Sequence, residues 1–269
     1  MTLPNLITLT TDFGLQDAYV GQIKGAILRH NIKAVIIDLT HAIKPHDILG
    51  AAVVIRSSYH YFPKGSVHMI VVDPGVGSQR KILAMMTDNH VFIAPDNGTL
   101  TFLLRKKKIQ ALHRVANRSL FPSEISATFH GRDIMAPVAA ALAGGMNISE
   151  VGPAISTGGC IQIEIPKTQL DENGITGRVI HIDRFGNIQT TITAGDLSLY
   201  QPSSFNGIFI RSRKIKAISS TYSDTAAGEL VALIDSSGLL EIAVNRGNAA
   251  AEIKCSIGDP VTVVMKMEE

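Results

Sequence analysis

Cysteine is scarce in this chain. Cys160 and Cys255 stand far apart and form no CxxC pair, which removes a disulfide framework and a zinc or redox knuckle. No HExxH occurs, and the nine histidines are scattered, so His41 and His46 read as two unrelated loop residues rather than a metal pair. A strong charge of either sign is missing too. With 25 basic and 23 acidic residues the net charge is +2, which gives no field for nucleic acid or for an anionic membrane. The Arg105 to Lys108 run follows an apolar segment and reads as a solvated helix end. The opening MTLPNLITLT lacks a basic region followed by an apolar stretch, so a cytoplasmic location is expected. Nucleotide and serine-hydrolase signatures are absent as well. GVGSQR, from Gly75 to Arg80, has Arg80 where GxGxxG needs its third glycine; it lacks the Gly-Lys-Ser/Thr ending of a P-loop, and no GxSxG occurs.

What is present describes a globular enzyme-sized chain. Its 269 residues, 45% hydrophobic and 18% charged, can bury a sizeable core in one large domain or two modest ones. Leu6 to Thr11, Ala34 to Leu39 and Val67 to Val72 are apolar or β-branched runs that end in polar turns, the pattern of buried strands. Between them, Tyr19, Val20, Ile23, Ala26, Ile27 and His30 recur at helical spacing behind a capping Asp17, and Asp47 to Ser57 directs Ile48, Ala51, Ala52 and Ile55 inward. Strands so uniformly apolar are covered on both faces, so a mostly parallel sheet flanked by helices is predicted. Such sheets bind ligands beyond the carboxyl ends of their strands, where this chain delivers Asp12, Thr40 with His41, and Asp73. Ile82 to Thr87 and His90 to Ala94 form a hairpin through Asp88-Asn89, Thr99 caps a short helix to Leu104, and Met135 to Ala143 is an alanine-rich helix.

After the polar stretch from Lys167 the pattern changes to short strands separated by turns: Val179 to Ile182, Ile188 to Ile192, Gly207 to Ile210, Leu230 to Ile234, Leu239 to Val244 and Val261 to Met265. The expected organisation is an N-terminal α/β domain over residues 1–167 and a smaller C-terminal β-barrel domain over 168–269.

Three residues make a better hypothesis together than apart. If Asp73, Arg80 and His130 converge, Arg80 holds Asp73 as an orienting carboxylate, His130 titrates near neutrality and can relay a proton, and the set suits activation of water. Alone, His130 would read as a structural histidine and the glycines Gly75 and Gly77 as turn formers.

TTDFG at 10–14, VVDPGVGSQR at 71–80, APDNG at 94–98, FHGRDIMAP at 129–137, IDRFGNIQTTI at 182–192 and NRGNAA at 245–250 together resemble the S-adenosylmethionine hydrolase family, the SAM hydroxide adenosyltransferases related to fluorinase and chlorinase. The resemblance covers nearly the whole chain. It implies hydrolysis of S-adenosylmethionine to adenosine and methionine by water attacking ribose C5′, with no cofactor and no metal. It also implies a homotrimer with active sites at subunit interfaces. By the same resemblance Asp73, Arg80 and His130 are the water-activating set, and Asp12 binds the ribose hydroxyls. Asp183 holds the methionine ammonium, Phe185 and Asn187 contact the adenosine, Ser236 and Ser237 hold the methionine carboxylate, and backbone from Asn245 to Ala249 reads adenine.

Two alternatives stay open at this point. A halogenase would carry uncharged residues at the places of Asp73 and Arg80, and His46 stands where the fluorinase has a tryptophan; both departures favour water over halide. A non-catalytic S-adenosylmethionine sensor would keep Asp12 and Asp183 without needing Asp73, Arg80 and His130.

Overall fold

The structure is a computed structural model, and it describes residues 4–106, 108–201 and 205–265. The chain divides into two compact units, Met1–Ile163 and Glu164–Glu269.

The N-terminal unit is built on a six-stranded sheet. In chain order its elements are β1 (Leu6–Thr11), α1 (Tyr19–His30), β2 (Val35–Thr40), α2 (Ile48–Ser58), β3 (Val67–Val71), β4 (Ile82–Thr87), β5 (His90–Pro95), α3 (Thr101–Leu104), β6 (Ile109–Arg114) and α4 (Ala136–Ala143). The strand order is β2-β1-β3-β5-β4-β6. Pairings from β2 through β5 are parallel, and β4 runs antiparallel to both β5 and β6. Alternation along β3 shows why its sequence is apolar throughout. Met69 and Val71 pack under α1 and α4 with Ile23, Ile27 and Val138, while Ile70 and its successor Val72 face Ala51, Ile55 and Leu100 on the other side. The β4–β5 connection is a two-residue turn in which Asp88 and Asn89 both take positive φ, 51° and 62°, as a hairpin of this length requires.

Several local expectations change. Asp17 is exposed and caps nothing; α1 begins after Ala18, with no side-chain cap, because the chain enters from a turn rather than an extended residue. Thr99 likewise bonds Asn97 Oδ1 at 2.7 Å rather than capping α3. Asp47, expected inside the second helix, instead caps α2, its Oδ1 accepting from Gly50 N at 2.8 Å. In α1 the buried set narrows to Val20, Ile23 and Ile27, with Tyr19 and His30 outside it. The edge strand β2 is not covered on both faces, since Val35 and Ile37 are 52% and 37% exposed. Lys106 is not simply solvated: it pairs with Asp88 and lies over the Tyr59 ring, 4.8 Å from its centroid. Lys107 in the same run lies outside the described residues.

The C-terminal unit contains β7 (Gln169–Asp171), β8 (Gly174–Ile182), β9 (Ile188–Thr193), α5 (Ala194–Leu197), β10 (Phe205–Ile210), β11 (Arg213–Ile215), β12 (Ile218–Ser219), β13 (Leu230–Ile234), β14 (Leu239–Val244), α6 (Ala249–Ile253) and β15 (Pro260–Met265). Among the described residues its nine strands run in the order β11-β10-β15-β8-β9-β14-β13-β12, with β7 on β8. The sheet curls until β11 lies against β13, nearly closing a barrel around Ile175, Val179, Ile188, Ile208, Leu240 and Val263. Among the described residues no helix is long and apolar enough to cross a membrane.

Candidate active site

Three parallel strands, β2, β1 and β3, end side by side, and the residues that leave them form one edge. Asp12 follows β1, His41 follows β2, and Asp73 lies two residues beyond β3. A cavity of about 290 Å³ opens at this edge, lined by Asp12, Phe13, Tyr19, Pro45, His46, Val71, Asp73, Val76, Thr128, Phe129, His130 and Gly131.

Asp73, Arg80 and His130 do converge. Arg80 Nε donates to Asp73 Oδ1 at 2.7 Å and Oδ2 at 2.8 Å, and Arg80 Nη2 also donates to Oδ2. The two side chains are 7% and 5% exposed, so the pair is desolvated and held as a fork. Arg80 Nη2 lies 3.2 Å from His130 Nδ1. A guanidinium can only donate, so Nδ1 accepts and a neutral His130 carries its proton on Nε2. Burial, then the neighbouring Arg80 charge, pushes the His130 pKa below its ordinary value, and Asp73 and Asp133 only partly offset this.

The turn between Asp73 and Arg80 is shaped by contact rather than by phosphate geometry. Gly77 has φ +81°, and a Cβ there would stand 2.5 Å from the Ala127 carbonyl oxygen, so only glycine lets this turn dock on the 126–128 segment. That segment is pinned in turn by Asp133, whose Oδ2 accepts from Ser126 N at 2.8 Å. Arg132 binds the same carboxylate through Nε and Nη2 at 2.6 and 2.9 Å and keeps it below the usual carboxylate range. His130 itself leads into a π-helical turn, Gly131–Met135, whose glycine leaves room for Val71; a Cβ would meet Val71 Cγ1 at 2.9 Å. Phe13, Tyr19 and Phe129 meet edge to face, with centroids 5.6 to 5.9 Å apart, and form the apolar wall. Asp96 and Asn97 of the APDNG motif serve the scaffold: Asp96 Oδ1 accepts from Ile161 N at 2.8 Å, and Asn97 Nδ2 donates to the Val72 carbonyl at 2.8 Å.

The C-terminal unit holds the remaining candidates on its own turns. Asp183 Oδ1 accepts from Phe185 N at 2.8 Å and Asn187 N at 2.9 Å, and Asn187 Nδ2 donates to Oδ2 at 3.2 Å. This turn leaves the Phe185 ring 73% exposed. Ser237 is bound through N and Oγ to Asp235 Oδ1, at 2.8 and 2.7 Å, beside an exposed Ser236. Asn245 spends its Nδ2 on the Thr225 carbonyl at 2.7 Å, and Ala249 is fully buried at the first turn of α6, so any recognition there falls to main-chain groups. Gly186 packs directly on Asn248, which caps α6, so the Asp183 and Asn245 turns of this unit abut.

Sequence reasoning missed a buried polar group in this unit. Glu241, 3% exposed, accepts from Tyr222 Oη at 2.7 Å, and Gln189 Nε2 donates to Asp235 Oδ2 at 2.7 Å. Burial first, then Asp235 and Asp183, push the Glu241 carboxyl up, and the Tyr222 hydroxyl is pushed up by burial and by Glu241. A lone acid inside the apolar run LLEIAV was the available signal. Among the described residues no group of three or more His, Cys, Asp or Glu could hold a metal ion.

The sequence matches the SAM hydroxide adenosyltransferase N-terminal domain over residues 7–152 and the corresponding C-terminal domain over residues 177–262. It is 35% identical to a Salinispora tropica protein named (R)-S-adenosyl-L-methionine hydrolase, over 96% of this chain and 97% of that one. A Methanocaldococcus jannaschii protein of the same name is 34% identical over 97% and 96%. A fluorinase from an Actinoplanes species is more distant, at 27% over 96% and 97%. Among solved structures, an uncharacterized conserved protein from Thermotoga maritima superimposes with a TM-score of 0.89 at 36% identity, over 96% of this chain and 99% of that one.

Proposed function

Because this chain belongs to the SAM hydroxide adenosyltransferase family, we propose that it hydrolyses S-adenosylmethionine to adenosine and L-methionine. The observation that carries this reading is the desolvated Asp73–Arg80 fork with His130 against it, at the end of an apolar-walled cavity.

The reaction replaces one bond with another at ribose C5′. A water oxygen forms the C–O bond, the C–S pair leaves with methionine as a neutral thioether, and one proton is released. The leaving group therefore needs no acid, and the burden falls on the nucleophile. Asp73 fixes Arg80, and Arg80 orients the water and stabilises hydroxide as it develops. His130 is kept unprotonated at neutral pH by its surroundings, so it can take the proton at Nδ1 once water replaces Arg80 as the donor there. Hydroxide meeting a sulfonium cancels charge, a change favoured by the apolar wall of Phe13, Tyr19 and Phe129. The Asp73 carboxylate would repel a halide at the same place, which supports water over halide as the nucleophile. Asp12 accepts the ribose hydroxyls and Asp183 the ammonium; Phe185 and Asn187 flank the adenosine, Ser236 and Ser237 hold the carboxylate, and main chain from Asn245 to Ala249 reads the adenine edge. No cofactor takes part. The enzyme acts in the cytoplasm as a homotrimer, an assembly supported by the exposed Leu15, Ile32, Val35 and Ile37 side chains, which need covering.

The test is to incubate the purified chain with each sulfonium epimer separately, in ¹⁸O-labelled water with chelator present, and to separate the products by chromatography. Adenosine labelled at O5′ and an equal amount of methionine are expected. Nucleoside binding without any adenosine formed above the blank would overturn the hydrolase reading in favour of a sensor.

A further inference from the structure

We propose that His41, acting through Thr11, is a positioning residue that fixes the Asp12 carboxylate for the ribose hydroxyls. The inference rests on the reading of Asp12 given above and extends it to two buried residues that touch no substrate.

A directed set of bonds joins the loop after β2 to the turn after β1. Lys24 Nζ donates to Asp38 Oδ2 at 2.6 Å, and Asp38 Oδ1 stands 3.0 Å from His41 Nε2. Among the described residues no other group faces His41 Nε2, so this carboxylate favours the proton on Nε2. His41 Nδ1 is then the acceptor for the Thr11 hydroxyl, 2.8 Å away, and Thr11 Oγ1 in turn accepts from Phe13 N at 3.3 Å. Both side chains are buried, His41 at 5% and Thr11 at 0% exposure. The His41 carbonyl accepts from Gly14 N at 2.8 Å. The two residues after Asp12 are therefore both tied to His41, one directly and one through Thr11.

The far end of the same loop closes on Asp12 itself. His46 takes φ +68°, uncommon for a non-glycine residue, and its N–H donates to Asp12 Oδ2 at 2.9 Å. The loop thus grips the turn at both ends. A carboxylate accepting two hydroxyls needs both oxygens aimed within a few tenths of an ångström, and a surface turn without such bonds would have to be ordered by the ligand at the ligand's cost.

The test compares adenosine with 2′,3′-dideoxyadenosine by titration calorimetry, on the full chain and on Thr11→Val, Thr11→Ser and His41→Ala. Thr11→Val keeps the shape and removes the hydroxyl, so folding does not obscure the result if His41→Ala is unstable. The unaltered protein is expected to bind adenosine at least about tenfold tighter than the dideoxy compound. Thr11→Val and His41→Ala collapse that ratio towards one by weakening adenosine alone, and Thr11→Ser preserves it. Equal weakening of both nucleosides by Thr11→Val, or no weakening, overturns the positioning role while leaving the Asp12 reading intact. An unaltered protein that does not distinguish the two nucleosides overturns both.

Discussion

The two units hold their candidate residues in opposite ways. In the N-terminal unit side chains from different turns bind one another: Arg80 reaches Asp73 across its own turn and His130 across 50 residues, and Thr11 reaches His41 across 30 residues. In the C-terminal unit the two acidic turns bind mainly themselves, Asp183 to the amides of Phe185 and Asn187, Asp235 to those of Ser237 and Leu239, with Gln189 and Asn245 supplying the longer-range bonds. Convergent side chains suit chemistry, because they fix donors against a reacting atom through a packed sheet. Self-bonded turns suit recognition, because they present main-chain groups and a carboxylate without asking the rest of the unit to move.

The sharpest way to break this contrast is at Arg80. Arg80→Ala leaves Asp73 buried with no cation, so stability falls along with activity; Arg80→Lys keeps the charge and removes only the fork. Turnover is expected to fall about a thousandfold in the first, on the scale of losing an oriented oxyanion donor, and about a hundredfold in the second. Adenosine affinity, measured in parallel, stays within a few-fold of the parent. A lysine variant with parental turnover would show that the fork is structural.

Acid should separate the units by sign. His68 is held down to about 3 by burial and then by His90, which lies 3.2 Å away, and His90 is lowered by burial. Both folded values lie below the unfolded one, near 6.5, so their stability is complete above that pH and lost as pH falls below it. The slope is at most about 1.4 kcal/mol per pH unit for each group that titrates only in the unfolded state. Glu241 is shifted the other way: its folded value is raised, so its stability is complete below the unfolded value and lost as pH rises through the folded one. Hydrogen exchange followed by peptide mass analysis from pH 7 to pH 5 is expected to show core amides of β3 and β5 losing protection while those of β14 hold theirs. Parallel loss in both units would remove the histidine pair as the cause.

Which of these features the sequence revealed follows from how each is bonded. Strand–turn–helix order and the barrel were legible because side-chain period and turn residues are local signals. The convergence of Asp73 with Arg80 stood in the sequence only as a condition, and it was the resemblance of VVDPGVGSQR and FHGRDIMAP to the hydrolase family that implied it; the bonds themselves are structural. The His68–His90 pair and the Thr11–His41 bond were not, because a histidine inside an apolar strand carries no mark of which neighbouring strand will face it. The cap assigned to Asp17 failed for the converse reason: a suitable residue type was present, but the backbone before α1 never takes the extended conformation a cap needs. Strand β6 was overlooked because Gln110, His113 and Arg114 break its apolar pattern, as they do on the outer strand of a sheet.

The smallest effect should lie in the C-terminal unit, at Asp183. Asp183→Asn keeps an oxygen that can accept from the Phe185 and Asn187 amides, and a flip of the Asn187 amide lets its oxygen accept from the new NH2 where its Nδ2 now donates, so the turn survives and the melting temperature hardly moves. What disappears is one negative charge in a half-exposed setting, worth about 1 kcal/mol against an ammonium, or roughly five- to tenfold in affinity. The KM for S-adenosylmethionine should therefore rise by about that factor while turnover at saturation and adenosine affinity stay put, since adenosine carries no ammonium. A drop in turnover at saturation would mean that this turn also shapes the reacting geometry, and the division of labour between convergent and self-bonded residues would fail at that point.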